Sequence, residues 1–355
     1  MLRDLADQVP KLLKESRVPG ASVAVINDAK VFWRRGFGTT GNPSKPQVEP
    51  VTVFAAASMS KPVFAYFVLK LVEKGVLDLD TPLTRYTPER YIEGDPRLDL
   101  ITARHVLSHT SGFQEWRSDK NPLRINFTPG EKFMYSGEAY SYLQSVVTRL
   151  IGHVNENDCA TYEAGLKVCG TDVDDYMTKN LLRPLGMRSS CYLWNSRTEQ
   201  QLALPHDSKG TLIRKSKPHP SDAARYAAAG MLLTTPSDYS KFIIQVMEPS
   251  RTDAFHLSPR GVQEMIRPQV KVSDHPLPIS WALGWRILHA RSGDIVSHDG
   301  GESGYRTFGG FSVAKRSGVV IMTNGENGGT VINKLLYGEL LQPASVALPE
   351  LADSR

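Results

Sequence analysis

The sequence lacks long hydrophobic runs. Its apolar stretches fall well short of the roughly 18 residues that a membrane-spanning helix needs, so an integral membrane protein is excluded and no membrane partner is expected. Charged side chains recur throughout the first 20 residues, which leaves no apolar segment for a secretory signal peptide. These two absences predict a cytoplasmic protein.

Cysteine is scarce. The chain has three cysteines, Cys159, Cys169 and Cys191, which cannot all pair with one another, and none of them forms a Cys-x-x-Cys motif. This usage favours free thiols in a reducing compartment, and a single disulfide between Cys159 and Cys169 is the less favoured alternative.

A block of charge of one sign is also missing. The 42 Lys and Arg residues outnumber the 37 Asp and Glu residues, giving a formal net charge of +5, but the basic residues are scattered along the chain. Nucleic-acid binding usually involves a basic stripe with interleaved aromatic residues. We therefore expect no nucleic-acid partner.

What the sequence does contain is an ordinary globular composition. Hydrophobic residues make up 41% and charged residues 22%, which excludes a disordered chain or a coiled coil. A length of 355 residues predicts about two domains. A chain of this size buries about three quarters of its surface on folding, enough for a large core.

Strand-like segments occur at both ends of the chain, with helical patterns between them. Strand spacing is found near residues 21–26, 30–34, 281–288, 294–297, 307–313 and 318–323, and helical spacing near residues 2–13, 58–75, 139–151 and 330–341. This order predicts an α/β (α+β) fold with a sheet domain built from residues 1–75 and 226–355. Residues 76–225 are predicted to form an inserted, mostly helical domain, with a surface insertion at residues 153–175.

Two motifs typical of cofactor or metal sites are better explained otherwise. Gly36-Phe-Gly-Thr-Thr-Gly41 matches the dinucleotide pattern G-x-G-x-x-G, but the following Asn-Pro-Ser-Lys-Pro cannot open the helix that would hold a pyrophosphate. His105 and His109 have the spacing of two zinc ligands on a helix, yet the sequence offers no third ligand. We expect neither a cofactor nor a metal.

The motif Ser-x-x-Lys occurs twice. Ser312 and Lys315 fall in a predicted strand, where residues three apart face opposite sides and cannot cooperate. Ser58 and Lys61 open the most apolar predicted helix, where residues three apart share a face. Desolvation and the positive end of the helix can lower the pKa of a lysine enough for it to act as a base for serine. Without further context, Ser58 as a helix cap and Lys61 as a solvated residue explain the motif equally well.

Further motifs in the same order supply that context, and they run from about Val18 to Gly338. In this respect the sequence resembles the penicillin-recognising serine hydrolases, which include class C β-lactamases, D-alanyl-D-alanine carboxypeptidases, D-aminopeptidases and family VIII carboxylesterases. The resemblance implies the β-lactamase/transpeptidase-like fold, an antiparallel sheet flanked by helices. The motifs that carry it are Val18-Pro-Gly-Ala-Ser22, Ser58-Met-Ser-Lys61, His105-Val-Leu-Ser-His109-Thr-Ser-Gly-Phe113, Phe127-Thr-Pro-Gly130, Tyr135-Ser-Gly137, Pro184-Leu-Gly-Met187, Ala229-Gly-Met231, Leu283-Gly-Trp285 and His298-Asp-Gly300-Gly301.

The resemblance also implies roles for individual residues. Ser58 matches the acylated nucleophile, Lys61 its proton partner, and Tyr135 the tyrosine that moves protons to and from the serine and the leaving group. His298 and Gly300 match the third motif, on a strand that lines the pocket. The backbone N–H groups of Ser58 and Gly301 are implied as the oxyanion hole. Whether Lys61 or Tyr135 is the ground-state base stays open at this point.

Two departures from the family pattern point to the substrate. Gly137 stands where the second motif usually has an Asn that holds the acyl-amide group, and Ser118-Asp-Lys120 is not a substitute for that motif. His298 stands where β-lactamases have a Lys that binds the substrate carboxylate. Simple esters need neither group.

The sequence therefore predicts a serine hydrolase acting on small carboxylic esters. The alternatives are a D-amino-acid amidase or peptidase, a weak β-lactamase or an acyltransferase on the same fold, and more remotely a non-catalytic scaffold. The residues identify neither the acyl nor the alcohol group, nor the oligomeric state.

Overall fold

Strands from both ends of the chain form one eight-stranded sheet. The computed structural model describes residues 2–152, 162–163, 168–214, 222–249, 253–274, 277–291 and 293–337. The strands are β1 (Gly20–Asn27), β2 (Lys30–Gly38), β3 (Phe54–Ala55), β4 (Tyr162–Glu163), β5 (Val168–Cys169), β6 (Leu233–Thr234), β7 (Val270–Ser273), β8 (Ile279–Trp281), β9 (Arg286–Leu288), β10 (Ile295–Glu302), β11 (Tyr305–Ser312) and β12 (Ser317–Thr323).

The helices lie on both faces of this sheet and in the middle of the chain. They are α1 (Leu2–Ser16), α2 (Ser60–Glu73), α3 (Ala103–Leu107), α4 (Gly137–Ile151), α5 (Gly170–Met177), α6 (Ser196–Gln201), α7 (Asp222–Gly230), α8 (Pro236–Met247), α9 (Pro259–Ile266) and α10 (Gly328–Tyr337). No helix among the described residues is long and apolar enough to cross a membrane.

The main sheet has the order β2-β1-β12-β11-β10-β9-β8-β7, and every neighbouring pair is antiparallel. The N-terminal hairpin joins the C-terminal strands through β1 and β12, where Val23 pairs with Ile321. The predicted antiparallel sheet built from both chain ends is therefore confirmed.

Side chains of β12 alternate between two cores, because successive residues of a strand point to opposite faces. Val319 and Ile321 pack in a core with residues of α1 and α10, whereas Val320 and Met322 pack in the core that contains α2 and α8. The sheet thus separates a small outer core from the large core that reaches the helical part of the chain.

Helix α2 begins at Ser60, two residues later than predicted. A short 3₁₀ turn (Ala57–Met59) precedes it, and Ala57 has a backbone φ of +48°, which an α-helix cannot contain. The helix itself is buried nearly all round, as its apolar sequence predicts.

The segment near residues 281–288 is two strands rather than one. β8 and β9 are joined by a turn in which Gly284 has a φ of +84°. A left-handed residue ends strand pairing, so the apolar run Trp281-Ala-Leu-Gly-Trp285 folds back on itself instead of continuing.

No strand of the main sheet comes from the described part of residues 76–225. The predicted domain boundary between residues 225 and 226 falls within α7, which packs against α4 and α2. The division of the chain into domains stays a prediction.

The predicted insertion at residues 153–175 lies partly outside the described residues, which omit 153–161 and 164–167. Its described end is packed rather than exposed, because Cys169 and Val173 are buried and the Asp174 carboxylate accepts the backbone N–H of Tyr192 at 2.6 Å. Cys169 is disulfide-bonded and Cys191 is free. The expectation of free thiols is wrong for Cys169, and a cytoplasmic location loses that support.

Candidate active site

Ser58 lies in the 3₁₀ turn that leads into α2. The turn is held in place because the Ser60 hydroxyl donates to the carbonyl of Ala57 at 2.6 Å and accepts the backbone N–H of Leu232 at 2.9 Å. The positive φ of Ala57 is a strained conformation for a residue with a side chain. The contacts of the turn therefore hold Ser58 in a fixed position at the N-terminal end of α2.

The amine of Lys61 lies next to this hydroxyl, with 3.1 Å between Lys61 Nζ and Ser58 Oγ. Nζ also donates to the carbonyl of Ala229 at 2.7 Å, and the residue is only 1% exposed. Burial lowers the pKa of Lys61 to about 7, against smaller opposing effects of Glu115 and Asp299. A substantial fraction of Lys61 is thus neutral at neutral pH.

Tyr135, just before the start of α4, lies beside Ser58 and Lys61 and is the third side chain of the group. Ser136 caps that helix by accepting the backbone N–H of Ala139 at 3.0 Å, which sets the position of Tyr135 just before it. Lys61 Nζ is 4.9 Å from the centre of the Tyr135 ring. Burial raises the pKa of Tyr135 well above its usual value, and a hydrogen bond with Ser58 opposes this only partly. Tyr135 therefore stays protonated.

The His109 ring packs against the Tyr135 ring. Their ring centres are 4.2 Å apart, and His109 Nδ1 accepts the backbone N–H of Ser136 at 3.0 Å. Burial, together with Lys61 and His298, lowers the pKa of His109 well below its usual value. From the sequence, His109 is only part of a motif and an unsupported zinc ligand, whereas in the structure its ring contacts Tyr135.

His298 lies on β10 beside Trp281, with ring centres 5.5 Å apart. Its Nδ1 lies 2.6 Å from the carbonyl of Asp299, so Nδ1 donates and the Nε2 lone pair is left as an acceptor. Burial lowers the pKa of His298 to about 4, although Asp299 opposes this shift. His298 is therefore neutral at physiological pH.

Gly300 allows β10 to approach the Ser58 turn closely. A Cβ at this position would lie 2.2 Å from the carbonyl oxygen of Ala56 and 2.3 Å from Thr307 Oγ1. Thr307 Oγ1 in turn donates to the same Ala56 carbonyl at 3.0 Å. This contact brings Gly301, the next residue of β10, to the wall of the cleft that contains Ser58.

The space above Gly137 is filled by Trp116. A Cβ on Gly137 would lie 2.1 Å from Trp116 Cζ2, and the Trp116 ring packs edge-on against Tyr226 with centres 5.5 Å apart. The indole therefore occupies the volume into which the family's Asn would project. No sequence motif includes Trp116, which lies in the segment between α3 and α4, and helix periodicity does not predict how this segment folds back onto Gly137.

Ser58, Lys61, Tyr135 and Gly301 line a cleft of about 430 Å³. The other predicted site residues, His298, Gly300 and Gly137, are not among the described residues that line it. The residues that line it include Ser58, Lys61, Glu115, Trp116, Tyr135, Asp222, Tyr226, Ala229, Gly230, Met231, Gly301 and Glu302. The sequence motif Ala229-Gly-Met231 contributes to the family resemblance, but no site role was predicted for it or for the other α7 residues of the cleft. Their position follows from the packing of α7 against α2, which a local pattern does not reveal.

The two motifs set aside from the sequence lie elsewhere. Ser312 ends β11 and Lys315 lies in the turn to β12, so this Ser-x-x-Lys spans a hairpin rather than a strand. Gly36-Phe-Gly38 ends β2 and leads into a loop. Within the described ranges, no group of three or more His, Cys, Asp or Glu side chains is arranged to hold a metal ion.

The match to a family model defines the class of protein. A model of the Beta-lactamase family matches residues 5–341. The chain therefore belongs to the Beta-lactamase family, whose members are serine hydrolases, and the predicted resemblance is confirmed.

Individual relatives are more distant. Protein flp of Staphylococcus aureus (strain MRSA252) is 23% identical over 334 residues, which cover 88% of this chain and 60% of flp, so the chain spans well under two thirds of that relative. Esterase EstB of Burkholderia gladioli is 38% identical over 169 residues, covering 39% of this chain and 43% of EstB. The octameric penicillin-binding protein homologue from Pyrococcus abyssi has a TM-score of 0.76 at 22% identity, covering 99% of this chain and 80% of that chain. These similarities confirm the β-lactamase-like fold.

Proposed function

We propose that this protein is a serine hydrolase that cleaves small carboxylic esters through an acyl-enzyme on Ser58. The observation that carries the proposal is the buried Lys61 amine, 3.1 Å from Ser58 Oγ and with a pKa lowered to about 7. A serine hydroxyl needs an adjacent base, and a base works best when its pKa is near the working pH.

The reaction has two steps, acylation of Ser58 and hydrolysis of the acyl-enzyme, and each proton that is removed is returned. Neutral Lys61 takes the proton of Ser58 as Oγ attacks the ester carbonyl carbon, and the backbone N–H groups of Ser58 and Gly301 donate hydrogen bonds to the oxyanion that forms. When the C–O bond of the ester breaks, the departing alkoxide receives a proton and leaves as an alcohol. Water then attacks the acyl-enzyme, which releases the acid and returns the proton to Ser58.

Tyr135 acts in this scheme as a donor and proton relay, with Lys61 as the ground-state base. The raised pKa of Tyr135 makes a ground-state phenolate rare at neutral pH. A protonated hydroxyl hydrogen-bonded with Ser58 is, in contrast, well placed to pass a proton to the leaving group.

Two features favour esters over amides and β-lactams. His298 is neutral and directs a lone pair, not a cation, from its free nitrogen, so it offers no charge to bind a substrate carboxylate. The Trp116 ring fills the position above Gly137, where an Asn would hold the acyl-amide group. The partial identity to an esterase supports the same choice.

An amidase acting on substrates with a free amine is the second candidate. Three carboxylates, Glu115, Asp222 and Glu302, belong to the lining of the cleft. Their sign suits an ammonium group on the substrate, as in D-amino-acid derivatives.

A substrate panel tests the proposal. We expect the purified protein to cleave p-nitrophenyl acetate and butyrate well, and nitrocefin and D-alanyl p-nitroanilide at least 100-fold less efficiently. Ser58→Ala should lose about 10³-fold or more in kcat, since removal of a nucleophile has effects of this size or larger, and should remain folded by circular dichroism. Ser312→Ala, the matched serine outside the cleft, should keep its activity. Efficient cleavage of the anilide or of nitrocefin with poor ester turnover would instead support the rivals.

A further inference from the structure

A second cavity adjoins the catalytic cleft. It has a volume of about 370 Å³ and shares Gly230, Met231 and Glu302 with the cleft. None of the described residues that line it is Ser58, Lys61 or Tyr135. We call it the side pocket, and its apolar lining includes Trp194, Leu202, Leu204, Leu212, Ile213 and Leu233.

The side pocket is built into the fold. About half of its apolar lining comes from residues 202–213, a segment that hydrogen bonds connect to β11 and to Asn324, the residue after β12. The Tyr305 hydroxyl donates to the carbonyl of Ala203 at 2.6 Å, and Asn324 Nδ2 donates to the carbonyl of Leu204 at 3.1 Å. Because the wall is already ordered, the protein loses little conformational entropy when a ligand binds in the pocket.

The side pocket lies where one half of an ester substrate would extend. The acyl chain and the leaving group leave the carbonyl carbon in different directions, and the leaving group must meet the proton donors Lys61 and Tyr135. The acyl chain is the half of the substrate that needs no proton donor, and an apolar acyl chain is stabilised by an apolar surface. The side pocket supplies such a surface, and it opens from the cleft at Gly230, Met231 and Glu302.

We propose that the side pocket binds the acyl chain of the substrate, and that the preferred substrates are esters of medium-length, unbranched or aryl-substituted apolar acids. This inference rests on the proposed ester hydrolysis and specifies its substrate class. Exposed Arg214 and partly buried Glu302 are the charged residues of the lining, and its remaining side chains bury hydrocarbon. Each methylene group that becomes buried is expected to raise kcat/KM about fourfold.

Two matched ester series test this assignment. In p-nitrophenyl esters from acetate to decanoate, kcat/KM should rise at least 30-fold from the acetyl to the hexanoyl or octanoyl ester. In acetate esters of alcohols from ethanol to octanol, followed by pH-stat titration, it should change less than fivefold. A flat acyl series together with a steep alcohol series would overturn the assignment.

A charged substitution locates the effect. Leu212 lines the side pocket and is 40% exposed, so Leu212→Asp should fold. We expect the ratio of octanoyl-ester to acetyl-ester kcat/KM to fall at least tenfold in this variant. Leu100→Asp, at a residue 48% exposed and outside both cavities, should keep the preference. An unchanged preference in Leu212→Asp would contradict a role for the side pocket.

Inhibition separates this inference from the proposed function. Octylboronic acid should inhibit at least 30-fold more strongly than methylboronic acid, and Leu212→Asp should reduce that ratio. If esters are cleaved with no dependence on acyl length, ester hydrolysis stands and the acyl pocket is wrong. If no ester is cleaved, the proposed function is wrong, and equal inhibition by the two boronic acids would then reject the side pocket as well.

Discussion

Lys61 combines two properties that rarely occur together, a titratable amine and nearly complete burial. Removing an ammonium ion from water is unfavourable, so a buried lysine responds by giving up its proton more readily. The carbonyl of Ala229 and the hydroxyl of Ser58 hydrogen-bond to the amine, which keeps it from being an unsatisfied polar group. At the scale of single residues, burial is thus what would let this lysine act as the base of the proposed hydrolysis.

This assignment predicts the pH dependence of the reaction. Only the neutral amine can take the proton of Ser58, so kcat/KM should fall about tenfold per pH unit below the Lys61 pKa of about 7 and level off above it. Lys61→Arg should lose about 10³-fold of kcat, as much as Lys61→Ala, because a guanidinium does not give up its proton. Stopped-flow hydrolysis of p-nitrophenyl butyrate from pH 5.5 to 9 measures both effects.

A second lysine of α2 provides the control. Lys70 is 7% exposed and pairs with Glu73 at 2.8 Å, outside the cleft. Lys70→Arg should retain the wild-type rate and pH profile. A Lys61→Arg variant with near-normal kcat would show that Lys61 supplies only positive charge.

At the scale of elements, the site depends on how closely β10 and the Ser58 turn approach each other. The approach is possible because residue 300 has no side chain. The same strand carries His298 and Gly301, so a displacement of β10 would move the neutral histidine and the implied oxyanion donor together.

Gly300→Ala should therefore damage catalysis through geometry. A methyl group at 2.2 Å from the Ala56 carbonyl must push the strand and the turn apart, and we expect kcat to fall about 100-fold, as a 1 Å misplacement does elsewhere. Gly329→Ala on α10 has nothing within 4 Å of the added methyl group and should leave activity unchanged. Steady-state kinetics of both variants, with their Tm values, gives the comparison. Wild-type kcat in Gly300→Ala would show that the close approach is dispensable.

The packing of Trp116 against the first residue of α4 also acts between elements. Gly137→Asn alone should lower ester turnover, because its Cβ would collide with the indole. In the double variant Gly137→Asn/Trp116→Ala the amide gains space, and one new hydrogen bond should raise the ratio of nitrocefin to ester kcat/KM by about 2- to 13-fold. Trp116→Ala alone is the control for the loss of the ring. A single Gly137→Asn variant with full ester activity would mean that Trp116 moves aside freely.

At the scale of the whole molecule, the two ends of the chain meet in one sheet and the catalytic groups meet between the sheet and the helical part. Ser58 comes from the 3₁₀ turn before α2, Lys61 from the first turn of α2, Tyr135 from the residues just before α4, and Ala229 from the end of α7. Their buried arrangement affects the stability of the fold as well as catalysis.

Stability should depend on pH through Lys61. Its pKa is lowered from 10.5 to about 7 on folding, so between these pH values the unfolded chain binds a proton that the native protein does not. The free energy of unfolding then rises with pH in this window, by at most about 1.4 kcal/mol per pH unit from this group. Between pH 7 and 9, wild type should therefore gain about 2 kcal/mol relative to Lys61→Met in urea unfolding. Equal pH dependence of the two proteins would contradict a neutral Lys61.

The sequence alone determined the relations that are local or periodic. Ser58 and Lys61 are three residues apart, and this spacing in a helix places both side chains on the same face. Strand patterns near both ends of the chain predicted a sheet built from both ends, and the apolar pattern of α2 predicted a buried helix. The start of α2 was predicted two residues too early because Ser58 and Met59 belong to a 3₁₀ turn, and the spacing of apolar residues does not distinguish a single 3₁₀ turn from the first turn of an α-helix.

The charges and contacts of the site residues depend on tertiary packing. The carbonyl of Ala229, 168 positions from Lys61, accepts a hydrogen bond from the Lys61 amine, and the rings of Trp116 and His109 fold back from the long segment between α3 and α4 onto Gly137 and Tyr135. A pKa near 7 for Lys61 follows from burial, which these distant segments produce together. Local propensity contains no information about which remote segment excludes water from a given side chain, and exclusion of water is what sets the charge of Lys61 and His298.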